Sequence, residues 1–310
     1  MKNSGERKSI RRGKMMKKVS STNLVYAFSS SMSPVLEVAS GDQIVFETID
    51  ALGGQIKFEG DVINLDFSKV NPATGPVFIK GAMPGNTLKV KILKIDLAEE
   101  GVIVCEEGFG VFPELVKGFK AKMLRIKDGF VRFDKLSIPA NPMIGVIGVA
   151  PENGHFTTGT AYKHGGNMDT KYVKTGSAVY LPIFQPGACL ALGDVHAAMA
   201  DGEVCVSACE VCANVTVEVE LINYEIEWPL IETESGFFIV VSMGTVEEAL
   251  KEVTYQAVKF LSRKLNLSMN SAYMLASLVV DIQISQLVDP NKTVRAYIPK
   301  YLFDGKGEIM

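Results

Sequence analysis

The chain is poor in the residues that most often carry chemistry. Its 310 residues include three histidines, one tryptophan and five cysteines. An odd cysteine count, spread from Cys105 to Cys212, excludes a simple disulfide framework and fits a reducing cytoplasm. No apolar run approaches the roughly 20 residues of a membrane-spanning helix, so no membrane role is expected. The chain also lacks internal repeats, low-complexity tracts and the H-E-x-x-H pattern that fixes zinc-ligand spacing. The glycines of Gly145–Gly154 lie in an apolar context with neither a lysine nor a helix behind them, which excludes a phosphate loop.

Charge is unevenly placed. The net charge is −3, yet Met1–Lys18 carries eight basic residues and one acidic, leaving 24 basic against 34 acidic residues and −10 for the remainder. An acidic body lacks the cationic face that nucleic-acid binding needs. The basic head has no apolar stretch behind it and is therefore no secretory signal. It is expected to be a disordered tail, or an extension upstream of a start at Met15 or Met16.

From Val19 to about Tyr224 short β-branched runs recur between Gly, Pro, Asn and Asp punctuation, as in Gln43–Thr48, Val77–Lys80, Thr87–Ile95, Val102–Cys105, Gly129–Phe133, Ala178–Ile183 and Val215–Ile222. Leu88–Ile92 alternates aliphatic and lysine residues, and the alternation slips at Leu93, as a bulge would make it. Only Phe112–Met123 hints at a helical turn in this region. Past Trp228-Pro229 the texture changes. Phe237–Met243 reads as a strand. Val246, Leu250, Val253, Ala257, Leu261 and Leu265 then repeat at helical spacing behind a capping Thr245. A second helix is expected from Ser268 or Asn270 to about Leu287, closed by Asp289-Pro290 and carrying Asp281 on its apolar face; a last strand follows over Thr293–Pro299. The fold class is mainly β, sandwich- or barrel-like, with a smaller C-terminal α+β unit. The boundaries are 1–18 for the tail, 19–228 for a β-rich catalytic region with room for two β subdomains, and 229–310 for the α+β unit.

Two stretches pair the scarce histidines with acids. In Gly187–Glu210, Asp194 and His196 stand two apart, followed by Asp201, Glu203 and Glu210, and Val204–Ala208 reads as a buried strand. Residues i and i+2 of a strand share a face, so Asp194 and His196 reach one ion or one substrate, unless the segment is simply a polar turn. The second stretch, His164–Lys171, sets a histidine, an asparagine and an acid around Gly165 and Gly166, whose missing Cβ atoms let backbone approach a ligand. Imidazole with carboxylate suits Zn²⁺ or a similar divalent ion, Ca²⁺ being the second candidate, with Glu203 or Glu210 left to move a proton. Asp50 follows a strand and either caps its turn or reaches the site. Cys205, Cys209 and Cys212 have an iron–sulfur-like spacing, but the Val-rich segment splits them between two faces, as buried apolar residues.

Glu47–Gln55, Asn71–Gly85, Gly145–Pro151, His164–Thr170, Gly193–Glu203 and Val288–Pro290 together resemble the acetamidase/formamidase family, in order and over most of the chain. The resemblance implies hydrolysis of a short aliphatic amide to ammonia and the carboxylate, and a homo-oligomer, expected as a dimer. The family's Gly-Asp-x-His and His-Gly-Gly-Asn-x-Asp positions fall on Asp194, His196, His164, Asn167 and Asp169. Two departures stand out. Met199-Ala200 replaces the usual Gln-Gly before Asp-Gly-Glu, and Asn71-Pro72 replaces His-Pro. The expected ligands are His164, Asp169, Asp194 and His196, and the expected catalytic acids Glu203, Asp194 and Asp201. Asn167, Gly165, Gly166 and Asp50 are expected to hold the substrate. The alternatives are a non-catalytic β-sandwich that binds a small molecule, or a hydrolase of another small C–N compound.

Overall fold

A computed structural model describes residues 16–59 and 65–304. The expected tail lies outside these residues except at its end, where Met16–Val19 is a strand running parallel to Gln43–Thr48. The chain is mostly β. Among the described residues eighteen strands join in one largely antiparallel sheet that does not close into a barrel, and two α-helices sit at its C-terminal end.

The sheet is organised by two long neighbours, Thr87–Glu106 and Glu210–Ile222, which pair antiparallel from Thr87↔Ile222 to Val102↔Glu210. Opposite Thr216 and Val217 stand Lys94 and Ile92, so Leu93 is the extra residue of a bulge, where the alternation slips. The main core gathers Val, Ile and Leu from the inward faces of these strands. A second core lies where α1 (Val246–Leu265) and α2 (Met269–Val279) pack on Leu230–Glu232, Gly236–Met243 and Lys292–Pro299. Thr245 caps α1: its hydroxyl accepts from the Glu248 amide while the Glu248 carboxylate accepts from the Thr245 amide.

Three expectations are corrected. Phe112–Met123 is not helical; turns lead into the strand Phe119–Lys127, which pairs with Thr87–Glu106. The second helix stops at Val279, and Asp281–Gln286 is a strand against Lys292–Pro299, with Asp281 exposed. Its residues D-I-Q-I-S-Q alternate with period two, a strand signal that the preceding apolar helix masks. Val204–Ala208 is a turn-rich loop with Val204 60% exposed, and the strand begins only at Glu210.

Candidate active site

The strand Met143–Gly148 lies between the two histidine-bearing stretches. On one side it pairs with Gly165–Asn167 (Val146↔Asn167) and on the other with Leu190–His196 (Met143↔His196, Val146↔Gly193). Its Gly145 is left opposite Asp194. A Cβ there would stand 2.3 Å from Asp169 Oδ1 and 2.5 Å from Asp194 Oδ2, so only glycine leaves room for both carboxylates. His196 and Glu210 are direct cross-strand partners, which brings their side chains to the same face.

His196 is the hub. Its Nε2 lies 3.1 Å from Asp194 Oδ1, 3.1 Å from Glu210 Oε2 and 3.9 Å from Asp169 Oδ1. Two donor sets converge on it, Asp194–His196–Glu210 and Asp169–His196–Glu203, each with its ligand atoms within 4.8 Å of one another. Asp289, from the turn before the last strand, completes the cluster by hydrogen bonding to Asp169. Five of these side chains are buried, and Asp289 is half-buried. Asp169, Asp194 and Glu203 also have positive φ (40°, 53° and 46°), a conformation that is unfavourable for residues with a Cβ and that concentrates at functional sites.

Burial governs the electrostatics. Burial and the neighbouring Asp194 push the Asp169 carboxyl up to about 6. Burial, with Asp194 adding and His196 opposing, pushes Glu210 up to about 7. Burial and Asp169 hold Glu203 and Asp289 well above the usual carboxylate range. Burial opposes charge on His196, but Glu210 and Asp194 outweigh it and hold the imidazolium well above its ordinary value. Acids this close cannot all ionise without a cation among them. Asp169 Oδ1, Glu210 Oε2, His196 Nδ1 and Asn167 Oδ1 are buried without hydrogen-bond partners. Two donors bound to one tetrahedral zinc are about 3.4 Å apart, close to the spacings around Nε2. The site fits a divalent cation.

The expected residues separate into those the cluster contains and those it does not. Asp169, Asp194, His196 and Glu203 converge, and Asn167 adjoins them through a 2.8 Å hydrogen bond from its Nδ2 to Asp289 Oδ2. His164 belongs to neither donor set. Its ring packs 5.1 Å from Phe28 and 4.8 Å from Phe156, and burial lowers its pKa to about 4, so it stays a neutral imidazole in an aromatic niche. Asp201 points away from the acids, its Oδ2 2.7 Å from Arg295 Nη2 and 2.9 Å from Lys171 Nζ. Asp50 caps its own turn, accepting from the Leu52 and Gly54 amides. Gly165 and Gly166 serve the close approach of backbone: a Cβ on either would lie 2.3 Å from a carbonyl oxygen, of Ile147 and Thr160 respectively.

Glu210, Asp289 and Gly145 carry more of the site than their local sequence suggests. Glu210 opens a strand that also carries Glu218 and Glu220, and only its burial separates it from them. Asp289-Pro290 reads as a helix stop, and nothing local marks it as part of a site 120 residues earlier in the chain. The cysteines disperse: Cys205 lies against the Val104 carbonyl, Cys209 beside Gly101 and Cys212 beside Asp50.

The same fold recurs among known proteins. A predicted acetamidase/formamidase from the thermophile Thermoanaerobacter tengcongensis has a crystal structure that superposes with a TM-score of 0.92 at 41% identity, covering 95% of this chain and 99% of that one. An acetamidase from Bacillus halodurans superposes with a TM-score of 0.91 at 36% identity, covering 94% and 100%. A formamidase from Methylophilus methylotrophus is 25% identical over 86% of both chains. A Schizosaccharomyces pombe relative is 26% identical, and the match spans 60% of this chain and 61% of that protein. The sequence profile of the Acetamidase/Formamidase family matches residues 15–158 and 152–305, and the chain belongs to that family.

Proposed function

We propose that the buried cluster around His196 hydrolyses a short aliphatic amide, formamide or acetamide, to ammonia and the carboxylate. Family membership makes the chain an amidohydrolase of short amides. The observation that carries the site assignment is the convergence of buried acid oxygens on one imidazole nitrogen, His196 Nε2. His196 with Asp194 and Glu210, or with Asp169 and Glu203, would hold a divalent cation; the imidazole–carboxylate set favours Zn²⁺ and admits Ca²⁺. Such an ion polarises a carbonyl and acidifies water.

The chain's own groups supply the proton transfers. In hydrolysis the water oxygen bonds to the carbonyl carbon and the C–N bond breaks. A water proton must reach the departing nitrogen, which leaves as ammonia. Glu203 is suited to take and return it, because burial and Asp169 hold its carboxyl well above the usual carboxylate range, which makes it a stronger base than an ordinary carboxylate. Asp201 acts by position. Its ion pair with Arg295 fixes the loop two residues before Glu203, and Gly202 between them donates to the Ser285 carbonyl at 2.7 Å and accepts from the Leu287 amide at 3.1 Å.

Elemental analysis with ammonia release before and after chelation tests the reading. Full activity in a metal-free preparation would remove the cation and leave the carboxylates as general acid and base. The five cysteines are all free, in keeping with a reducing cytoplasm, and no helix among the described residues is long and apolar enough to cross a membrane. A homodimer is proposed through α2, where Met269, Tyr273, Met274 and Leu278 are exposed on a helix without a charged residue. Light scattering would test it: a monomeric wild type would refute it, and Leu278→Asp should dissociate a dimer.

A further inference from the structure

Asn167 presents an asymmetry. Its Nδ2 donates to Asp289 Oδ2 at 2.8 Å, whereas its Oδ1 is buried without a partner, at the edge of a cluster made almost wholly of acceptors. A buried carbonyl oxygen left unmatched is costly, so such an atom calls for a donor from outside the protein. The orientation is fixed from behind. Asp289 sits in a turn braced by Gln286, whose Oε1 accepts from the amides of Val288 (2.9 Å) and Asp289 (3.0 Å). The Gln286 Nε2 donates to the Asn291 carbonyl at 2.6 Å and to Thr293 Oγ1 at 3.0 Å. The Asn167 backbone is held in register opposite Val146, and its left neighbours Gly165 and Gly166 admit no side chain. One N–H of Asn167 is engaged by Asp289, and Oδ1 is the atom left without a partner, so the side chain is placed to accept.

We propose that Asn167, oriented by Asp289, recognises the –NH₂ of the substrate, its Oδ1 accepting an N–H, and that this pair sets the preference for primary amides over esters and N,N-disubstituted amides. The inference rests on the amidase reading above and adds to it a means of selection. An ester of the same shape brings no N–H and leaves Oδ1 unmatched, as does N,N-dimethylacetamide. Discrimination by a buried polar group works this way: the wrong ligand is rejected because it leaves the group unpaired. Asn167 contacts substrate in this scheme, and Asp289 is a positioning residue.

The test compares kcat/KM for acetamide, methyl acetate and N,N-dimethylacetamide in the metal-replete full chain. Asn167→Leu keeps the side-chain volume and removes both polar atoms. It should lower kcat/KM for acetamide by about 10- to 100-fold, the equivalent of a lost buried hydrogen bond, and leave methyl acetate within about threefold. Asp289→Asn keeps volume and hydrogen bonding but offers Asn167 a competing donor. It should move the amide-to-ester ratio the same way by a smaller factor, chiefly through KM, and it serves if the leucine variant fails to fold. Equal loss on all three substrates, or an unmoved ratio in folded variants, would overturn the proposal and leave the amidase reading intact. A wild type that releases no ammonia from acetamide or formamide would overturn both.

Discussion

Replacing Arg295 with methionine tests how the C-terminal unit governs the site. The guanidinium is fully buried and makes five polar contacts. Its Nε donates to Gln283 Oε1 at 2.9 Å. Its Nη1 donates to the Ile284 carbonyl at 2.9 Å, Ser285 Oγ at 2.9 Å and, more weakly, Thr170 Oγ1 at 3.4 Å. Its Nη2 donates to Asp201 Oδ2 at 2.7 Å. Methionine fills much of the space but strands the Ile284 carbonyl and the Ser285 hydroxyl, each at about 1–3 kcal/mol. Asp201 is a third exposed and keeps Lys171, so its carboxylate adds little. A net loss of about 3 kcal/mol is expected, at the low end for breaking a buried ion pair. With an m-value of about 3 kcal/mol/M, the urea midpoint falls by about 1 M. The catalytic effect is separate. The loop before Glu203 loses one of its anchors, and a displacement of about 1 Å at a reacting group costs on the order of 100-fold in rate. Ammonia release at saturating acetamide should therefore fall by tenfold or more under conditions where circular dichroism shows the variant folded. An unchanged midpoint would refute the energetic argument. A lowered midpoint with wild-type kcat would refute the link from Arg295 through Asp201 to Glu203.

Other outcomes follow from the same geometry. Glu203→Gln should lower kcat by about 10²–10⁴ while leaving bound metal, read by elemental analysis, unchanged if Glu203 acts on protons alone. His196→Ala should abolish metal retention, since both donor sets include His196. Gly145→Ala should do the same with the fold retained, because its methyl would occupy the space between Asp169 and Asp194. His164→Phe should leave metal content intact and alter the acid limb of stability. His164 has a folded pKa of about 4 against 6.5 unfolded, so the stability it allows is complete above pH 6.5 and is lost as pH falls toward 4. That loss is about 2 kcal/mol at pH 5, so the difference between the urea midpoints at pH 7 and pH 5 should be smaller in the variant by about 0.7 M.

Much of the architecture could be read from local pattern. The Thr245 cap, the bulge at Leu93 and the strand Gln43–Thr48 are short-range features, set by residues a few positions apart. Long-range placement was less legible. Asp194 and His196 stood out because they are polar residues in an apolar strand, and Asn167 and Asp169 because they follow paired glycines. Asp201 was grouped with Glu203 by proximity in sequence. Only the fold reveals that its partner is Arg295, 94 residues away. His164 looks like a ligand for the same reason: sequence shows that a histidine is present but not whether acids or phenylalanines surround it. Asp289 belongs to a stretch that carries the family resemblance, but its role is not legible locally, because its partners Asn167 and Asp169 lie in another part of the sheet.

The carboxylates make a last prediction that opposes the one for His164 in sign. Asp169 titrates at about 6 and Glu210 at about 7 in the folded chain, and Glu203 and Asp289 also lie well above their ordinary values. Below about pH 4 these groups are protonated whether the chain is folded or not, and they add no pH dependence. As pH rises, the unfolded chain releases its protons first while the folded cluster keeps them, so stability falls through pH 6 to 7. The raised pKa of His196 acts in the same direction, since its contribution is also lost as pH increases. A chelated preparation should therefore be less stable at pH 8 than at pH 5. A cation bound among these ligands replaces the protons and favours the ionised acids, so metal addition should remove or reverse the difference. The positive φ of Asp169, Asp194 and Glu203 points the same way, as backbone strain that converges charges and that bound cation would offset. Urea midpoints across pH 5–8, with and without added Zn²⁺, decide the matter. A chelated protein whose stability rises steadily to pH 8 would show that these acids ionise freely in the folded state and that the cluster needs no cation.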